Sequence, residues 1–591
     1  MSEPEGKRRS EGGMGRRAGP PGRAGDAASA GADRLSLRDG PGPPAAADVL
    51  RPVTGPAAYA VRFERCKEPR YIPVIFYAYL AVVVPFVIWR TTIVNWHIWF
   101  GPLSLAADLF AAMMFTFFLG FTRYLYVPAH RPAHITARVV DCLIPTHTEP
   151  VSLIEPTVIA ALRVRGVRDV LVLGNFDRPD VRAMAGRLGV AYRARNSNQH
   201  GKAGNLNNGL SYTDADFILT LDSDHMARPE FLERTLGYFD DPAVAFVQTP
   251  QSFYNTASLL YRRAHGKDRE WSESNMFYRC VQPGKNGRNA SFYVGTSAVL
   301  RRAALDDVGG FATGTVTEDI HTSLRIHAQG WRSVFIPEPL AFGLEAQSLK
   351  EFYGQRRRWA VGSLTLLFRH ADSPLRVRGL TRLQRLSYLE STMAHLGGIQ
   401  RLIHFLLPAI AIFTMRSPVS VPIGLYGVAF VAYFIASFSM VAVYSRGTYH
   451  FLHSDAYSLA NLVAQVSALS GLLRTERRFH SARKEVPHGE RTLVKPILWL
   501  LGLTSVAGLA DGAYRLAAGN HSWLVIMAIA WCTVNSVWMW WILGYLEVYE
   551  RKQIITGLDG VGALDRYNLI MARFAGRLPP AAHAAQLADS S

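Results

Sequence analysis

Residues 215–224 read ADFILTLDSD, an apolar run that ends on two aspartates one residue apart, Asp222 and Asp224. Phe217–Leu221 suits a strand buried in a sheet, and such runs are short and apolar throughout. Ligands of open α/β sheets gather at the carboxyl ends of the strands, which is where this acid pair falls. Two hard carboxylates there suit a hard divalent cation that can itself grip a diphosphate. The same rhythm continues on either side. VVDCLIPT (139–146), VRDVLVLGN (167–175) and VAFVQTP (244–250) alternate with helical segments such as 156–165 and 178–188. That alternation predicts an α/β domain over residues 135–350 with a largely parallel sheet.

Strongly apolar runs flank this domain. Two precede it within 70–128, and four follow within 395–547, at about 395–415, 419–444, 495–509 and 522–546. Six membrane helices are expected from their length and composition. The 495–509 run is short, and Pro496 and Gly502 leave a broken or re-entrant helix open. Residues 351–394 are basic, aromatic and amphipathic, as helices lying in a membrane interface are. Residues 474–495 carry seven Lys and Arg, whereas the link after Arg90 has none before the next run. The positive-inside rule then puts both termini, the central domain and this basic loop in the cytoplasm of a multi-pass inner (plasma) membrane protein.

Composition agrees. Of 591 residues 49% are apolar and the net charge is +18, yet the basic residues form no single stripe. Membrane lipid is the expected partner, and nucleic acid is not. Residues 1–60, rich in Gly, Ala, Pro and Arg, cannot bury enough apolar surface to order and are expected to be a disordered cytoplasmic tail. Residues 548–591 are expected to be a short cytoplasmic tail. Cys66, Cys142, Cys280 and Cys532 have no metal-ligand spacing and suit buried thiols in a reducing compartment.

Four polar signatures follow one another: HGKAGNLNNGL (200–210), LDSDH (221–225), TVTEDIHTSLRIHAQGW (315–331) and QRRRW (355–359). With IPTHTEP (144–150) and FVQTPQSFYN (246–255), they make residues 70–550 resemble the bacterial cellulose synthase catalytic subunit, and more broadly the processive membrane-bound family-2 glycosyltransferases. The resemblance implies a GT-A-type cytoplasmic domain inserted between transmembrane helices. It implies that Asp222 and Asp224 hold a Mg²⁺ or Mn²⁺ ion, with Asp222 also contacting the nucleotide sugar. Lys202 would support the diphosphate, and Thr146 and Glu149 the uridine. Asp319 would be the general base, oriented by Glu318; an ordinary Asp is ionised at neutral pH and needs no large shift for that task. Gln355 and Trp359 would bind the acceptor and Arg358 the diphosphate.

Two elements depart from the family pattern. Relatives carry Asp-Asp-Gly where this chain has LGNFD (173–177), leaving Asn175, or Asp177 nearby, to face the uracil. The segment ERRFHSARKEV (476–486) resembles a gating loop at Phe479 and Lys484 but lacks its Val-Thr pair; a positive-inside connector reads equally well.

The expected reaction is inverting, processive transfer from a UDP-sugar donor to a growing polysaccharide, with the product passing through the enzyme's own helices toward periplasmic or surface export partners. UDP-glucose giving a β-1,4-glucan is the first reading. A hyaluronan-, chitin- or β-1,3-glucan-like product, a non-processive glycolipid glycosyltransferase, and an inactive membrane partner are the others. Residues 548–591 are too few for a cyclic-di-GMP-binding barrel, so direct control by that nucleotide is not expected.

Overall fold

The computed structural model describes residues 60–67, 71–129, 138–255, 261–263, 270–473, 492–551 and 562–575. Phe479, Lys484 and the expected N-terminal tail up to residue 59 lie outside the described residues.

Ten of the described strands of the central domain build its two larger sheets: β1 (Val140–Thr146), β2 (Val167–Gly174), β3 (Ala191–Ala194), β4 (Phe217–Thr220), β5 (Met226–Ala227), β6 (Val244–Gln248), β7 (Gln251–Phe253), β8 (Ala298–Arg301), β9 (Arg332–Phe335) and β10 (Ala341–Gly343), while Tyr261–Arg263 and Glu270–Ser272 pair separately. Seven form one sheet in the order β9-β6-β8-β4-β1-β2-β3. Only β8 runs antiparallel to its neighbours. The sheet is thus largely parallel, as expected, with one antiparallel strand making it mixed. The remaining three make a small sheet in the order β5-β10-β7.

Strand β1 is buried over its whole length because both faces of the large sheet are covered. Its side chains alternate between two cores. Cys142 and Ile144 pack with Val170 and Val172 on one face, while Leu143 packs with Leu171 and Leu173 on the other. Each such side chain contributes roughly 1.5–3 kcal/mol by leaving water. A one-residue slip would exchange the two sets, so the register, and with it the level at which the strands end, is fixed.

The helices used below are α1 (Ile72–Thr92), α2 (Phe100–Thr122), α3 (Val151–Leu162), α4 (Gly201–Leu210), α5 (Glu318–Ala328), α6 (Leu349–Phe368), α7 (Arg382–Met393), α8 (Gly397–Thr414), α9 (Ile423–Tyr444), α10 (Phe451–Leu473), α11 (Val494–Ala517), α12 (Trp523–Arg551) and α13 (Ala563–Ala575). Among the described residues six helical stretches are long and apolar enough to cross a membrane: α1, α2, the stretch spanning α7 and α8, α9, α11 and α12. Their number and order match the sequence reading. The alternative of a broken helix at 495–509 does not hold. Residues 494–517 form one continuous helix, with Pro496 in its first turn, where no intrahelical N–H is needed. Asp108, the one acid of its run, accepts from Arg90 at 2.6 Å and from His404 Nε2 at 2.7 Å. A charge at such a position needs partners of this kind.

Two helices were not foreseen. Residues 451–473, between the fourth apolar run and the basic loop, form α10, which packs on α6 and α8. Asp455 of α10 pairs with Arg401 of α8 and accepts from the indole of Trp538 on α12. The segment expected to be a plain C-terminal tail contains α13, which docks on α3. Tyr567 and Ile570 of α13 are buried against Ala160, Met226, Tyr254 and Phe342. The guanidinium of Arg163 lies 4.5 Å from the centre of the Tyr567 ring and donates to Asn568 at 3.1 Å.

Candidate active site

Strands β2, β1 and β4 are parallel neighbours, so their carboxyl ends share one edge. Thr146 ends β1, Asn175 follows β2, and Asp222 lies two residues past β4. The sheet alone therefore brings together three segments that are far apart in the chain.

The Lys202 ammonium, in the first turn of α4, donates to Asp222 Oδ1 at 2.5 Å and to the Gly295 carbonyl at 2.7 Å. It also stands 3.9 Å from Glu318 Oε1. Burial works against its charge, but Asp222, Tyr293 and Glu318 outweigh it and raise its pKa. Lys202 thus joins the DSD segment to the TED segment. Asp224 is buried, with Oδ2 accepting from the Leu344 amide at 3.1 Å and Oδ1 3.1 Å from His225 Nδ1. His225 was not singled out in the sequence, although it directly follows the acid pair. Its Nε2 is buried without a hydrogen-bond partner. Ligand atoms of Asp222, Asp224 and His225 lie within 4.8 Å of one another. Two carboxylates with an imidazole beside them fit a divalent cation.

Glu318 and Asp319 open α5, and Asp319 Oδ1 accepts from the Ile320 amide at 2.8 Å. The expectation of an unshifted aspartate needs correcting. Burial, and then the Glu318 carboxylate beside it, raise Asp319 to about 7, against the pull of that amide and Lys202. Gly295, at φ +91°, lies between the two functional groups: a Cβ there would sit 3.2 Å from Lys202 Nζ and 3.4 Å from Asp319 Oδ2. Only glycine accepts that backbone conformation while leaving the space clear.

Around the expected uridine contacts the polar groups are largely engaged with one another. The Thr146 hydroxyl donates to the Leu173 carbonyl at 3.0 Å, and Glu149 Oε2 accepts from the His147 amide at 2.6 Å. Asn175 Oδ1 accepts from Arg195 Nε and a terminal nitrogen at 3.0 and 2.7 Å, and its amide donates to Asn198 Oδ1 at 2.9 Å. Arg195 also donates to the Gln199 and Gly201 carbonyls, which ties Asn175 to the start of α4. Asp177 points elsewhere, to a salt bridge with Arg182 at 2.7 Å.

Helix α6 starts on a true cap, the Ser348 hydroxyl accepting from the Glu351 amide. It carries Gln355, Arg358 and Trp359, all partly buried. Gln355 and Trp359 are one turn apart and share a face. Arg356 lies with its guanidinium 4.2 Å from the centre of a Trp359 ring and contacts Glu273 at 3.3 Å. The sequence reading passed over Arg356, since nothing in a run of three arginines says which one covers the indole.

A family model described as glycosyl transferase family group 2 matches residues 217–445. The chain is 33% identical over 480 residues to cellulose synthase 1 of Komagataeibacter xylinus, covering 77% of this chain and 30% of that protein. It is 31% identical over 489 residues to the UDP-forming cellulose synthase 1 catalytic subunit of the same organism, covering 77% and 65%. The chain therefore spans between about a third and two thirds of the length of these relatives. Among solved structures, a mannosyltransferase from Pyrobaculum calidifontis in complex with GDP-Man and Mn²⁺ is 18% identical, with a TM-score of 0.44 over 62% of this chain and 99% of that one.

Proposed function

We propose that this chain, a homologue of the bacterial cellulose synthase catalytic subunits carrying a family 2 glycosyltransferase domain, polymerises a UDP-sugar with inversion at the anomeric carbon. UDP-glucose giving a β-1,4-glucan is the first reading. The product would leave through the membrane helices, with the catalytic domain on the cytoplasmic side. The observation that carries the proposal is the bridge Asp222–Lys202–Glu318, with Asp319 across Gly295. It sets a diphosphate-binding element beside a candidate base.

Asp222, Asp224 and His225 would hold a divalent cation. Such an ion would supply charge neutralisation for the departing diphosphate. Asp319, ionised, accepts the proton of the acceptor hydroxyl as its oxygen attacks the anomeric carbon and the bond to the nucleotide breaks. A pKa near neutrality matches that task better than an ordinary carboxylate would. Lys202 holds Asp222 in place and limits how far Glu318 raises Asp319. Trp359 offers an apolar face to the acceptor sugar, Gln355 a hydrogen-bonding edge, and Arg358 a guanidinium to the diphosphate.

A second reading keeps the reaction and changes the donor. Asn175, locked to Arg195, stands where relatives carry acids, so a UDP-sugar other than UDP-glucose is also to be tested. Inverted vesicles given single radiolabelled UDP-sugars and Mg²⁺ or Mn²⁺ decide between them, with linkage-specific glycanases identifying the polymer. Absence of polymer with every donor would overturn the proposal. One-sugar products would replace it with glycolipid transfer.

A further inference from the structure

A second cluster of ligand-type side chains lies two residues past Asp319. His321, in the first turn of α5, is buried. Its Nε2 stands 3.0 Å from Asp372 Oδ2 and its Nδ1 3.3 Å from Thr315 Oγ1. The His370 ring packs with its centre 4.3 Å from that of His321, and its Nδ1 lies 3.7 Å from the same Asp372 oxygen. His370 and Asp372 immediately follow the end of α6.

The polar partners suit a ligand role for His321. Thr315 Oγ1 lies 3.2 Å from the Thr317 carbonyl, to which it can donate, and can then accept from His321 Nδ1–H. In that tautomer the Nε2 lone pair faces Asp372 Oδ2, and an ion between them would satisfy both.

The geometry suits a metal ion. A ligand atom from each of His321, His370 and Asp372 lies within 4.8 Å of the others. Donors about 2.1 Å from a tetrahedral ion are about 3.4 Å apart, and the 3.0 and 3.7 Å separations bracket that spacing. The outer groups are those a metal site requires. Thr315 would accept from Nδ1–H once Nε2 holds the ion. Arg325 lies 3.8 Å from Asp372 Oδ2. Gly314 lets the His370 ring approach the backbone, since a Cβ there would fall 2.2 Å from Nε2. The Asp372 amide now donates to His370 Nδ1 at 3.1 Å, a lone pair that an ion would take over. Asp372 and His370 are partly exposed, which leaves an entry path and room for a water as fourth ligand.

We propose that His321, His370 and Asp372 form a transition-metal site, distinct from the Asp222–Asp224–His225 constellation, that takes Zn²⁺ and fastens the first turn of α5 to the end of α6. Two imidazoles with one carboxylate select zinc over the hard cations suited to a pair of carboxylates. The bound ion would link the helix bearing the candidate base to the helix bearing Trp359.

The test uses the full chain in detergent, purified without metal-affinity resin. Elemental analysis is expected to find about one equivalent of zinc per chain. Asp224→Asn should keep that zinc, while His370→Ala and Asp372→Ala should lose it. Zn²⁺ added to chelator-stripped protein should raise its melting temperature by several degrees, and should leave His370→Ala unmoved. Co²⁺ in the stripped protein should give the intense visible absorption of a four-coordinate N/O site. Size-exclusion profiles report whether each variant folds, and His370, being partly exposed, is the safest to truncate. The proposal is overturned by stripped protein that shows neither a zinc-dependent shift nor the Co²⁺ band. It is equally overturned by zinc that stays bound in the His370→Ala/Asp372→Ala double variant.

Discussion

Replacing Lys202 by Met removes the cation between Asp222 and Glu318 and tests the link between donor site and base. One point in space lies 3.2 Å from Lys202 Nζ and 3.4 Å from Asp319 Oδ2, so the two charges are at most about 7 Å apart. At that distance and an effective dielectric of about 20 they attract by about 2.4 kcal/mol, or some 1.7 pKa units. Screening by solvent at these partly exposed side chains reduces this to about one unit. Lys202 lowers the pKa of Asp319, so its loss raises it. A base works when ionised, and turnover therefore climbs with pH through that pKa. The variant should have the acid limb of its pH–rate profile displaced to higher pH by about one unit. The assay is initial-rate incorporation of labelled sugar at saturating donor, from pH 5.5 to about 9.5. Lys202→Arg, which keeps the charge, should return the limb most of the way. A limb that stays in place while the rate falls evenly at every pH would refute the coupling and leave Lys202 a donor-binding residue only.

Asp319→Asn should abolish polymer formation while UDP binding, followed by calorimetry, stays within about threefold of the parent. Chelation should stop synthesis, and Asp224→Asn should raise the Mn²⁺ concentration needed for half-maximal rate by at least about tenfold. Gly295→Ala meets both a positive φ and a filled cleft. It should lower the rate by about a hundredfold, with a loss of stability of only about 1–2 kcal/mol in thermal melts. Tyr567→Ala on α13 should expose the residues beneath it at a cost of about 3 kcal/mol to helix docking, seen as faster proteolysis near the carboxyl end without loss of the membrane fraction.

The parts of the protein legible in sequence are those set by short-range patterns. Residues 215–224 declare a buried strand and its acidic end within ten positions, and the six apolar runs declare themselves by length. Pairings across the chain were out of reach. Lys202 meets Asp222 because α4 and the end of β4 converge on one sheet edge, and Gly295 joins them from a segment with no motif of its own. The shift of Asp319 depends on that burial and on Glu318, so isolated-residue chemistry misjudged it. Helix α10 escaped notice because His453, Asp455 and Gln465 interrupt its apolar face. Their partners, among them Arg401 and Trp538, lie on helices distant in sequence. Asn175 stood out as a departure from the expected family pattern, and its tie to Arg195 needed the fold.

The guanidinium of Arg356 lies against one side of the Trp359 indole. A flat platform blocked from behind can be approached only from the front. Any ring that settles on it is therefore read one-sidedly, and a sugar offered upside down finds different hydroxyls pointing at its neighbours. If the chain polymerises sugars as proposed, an end group that must land the same way each time would owe its stereochemical grammar to a side chain that never has to touch the polymer.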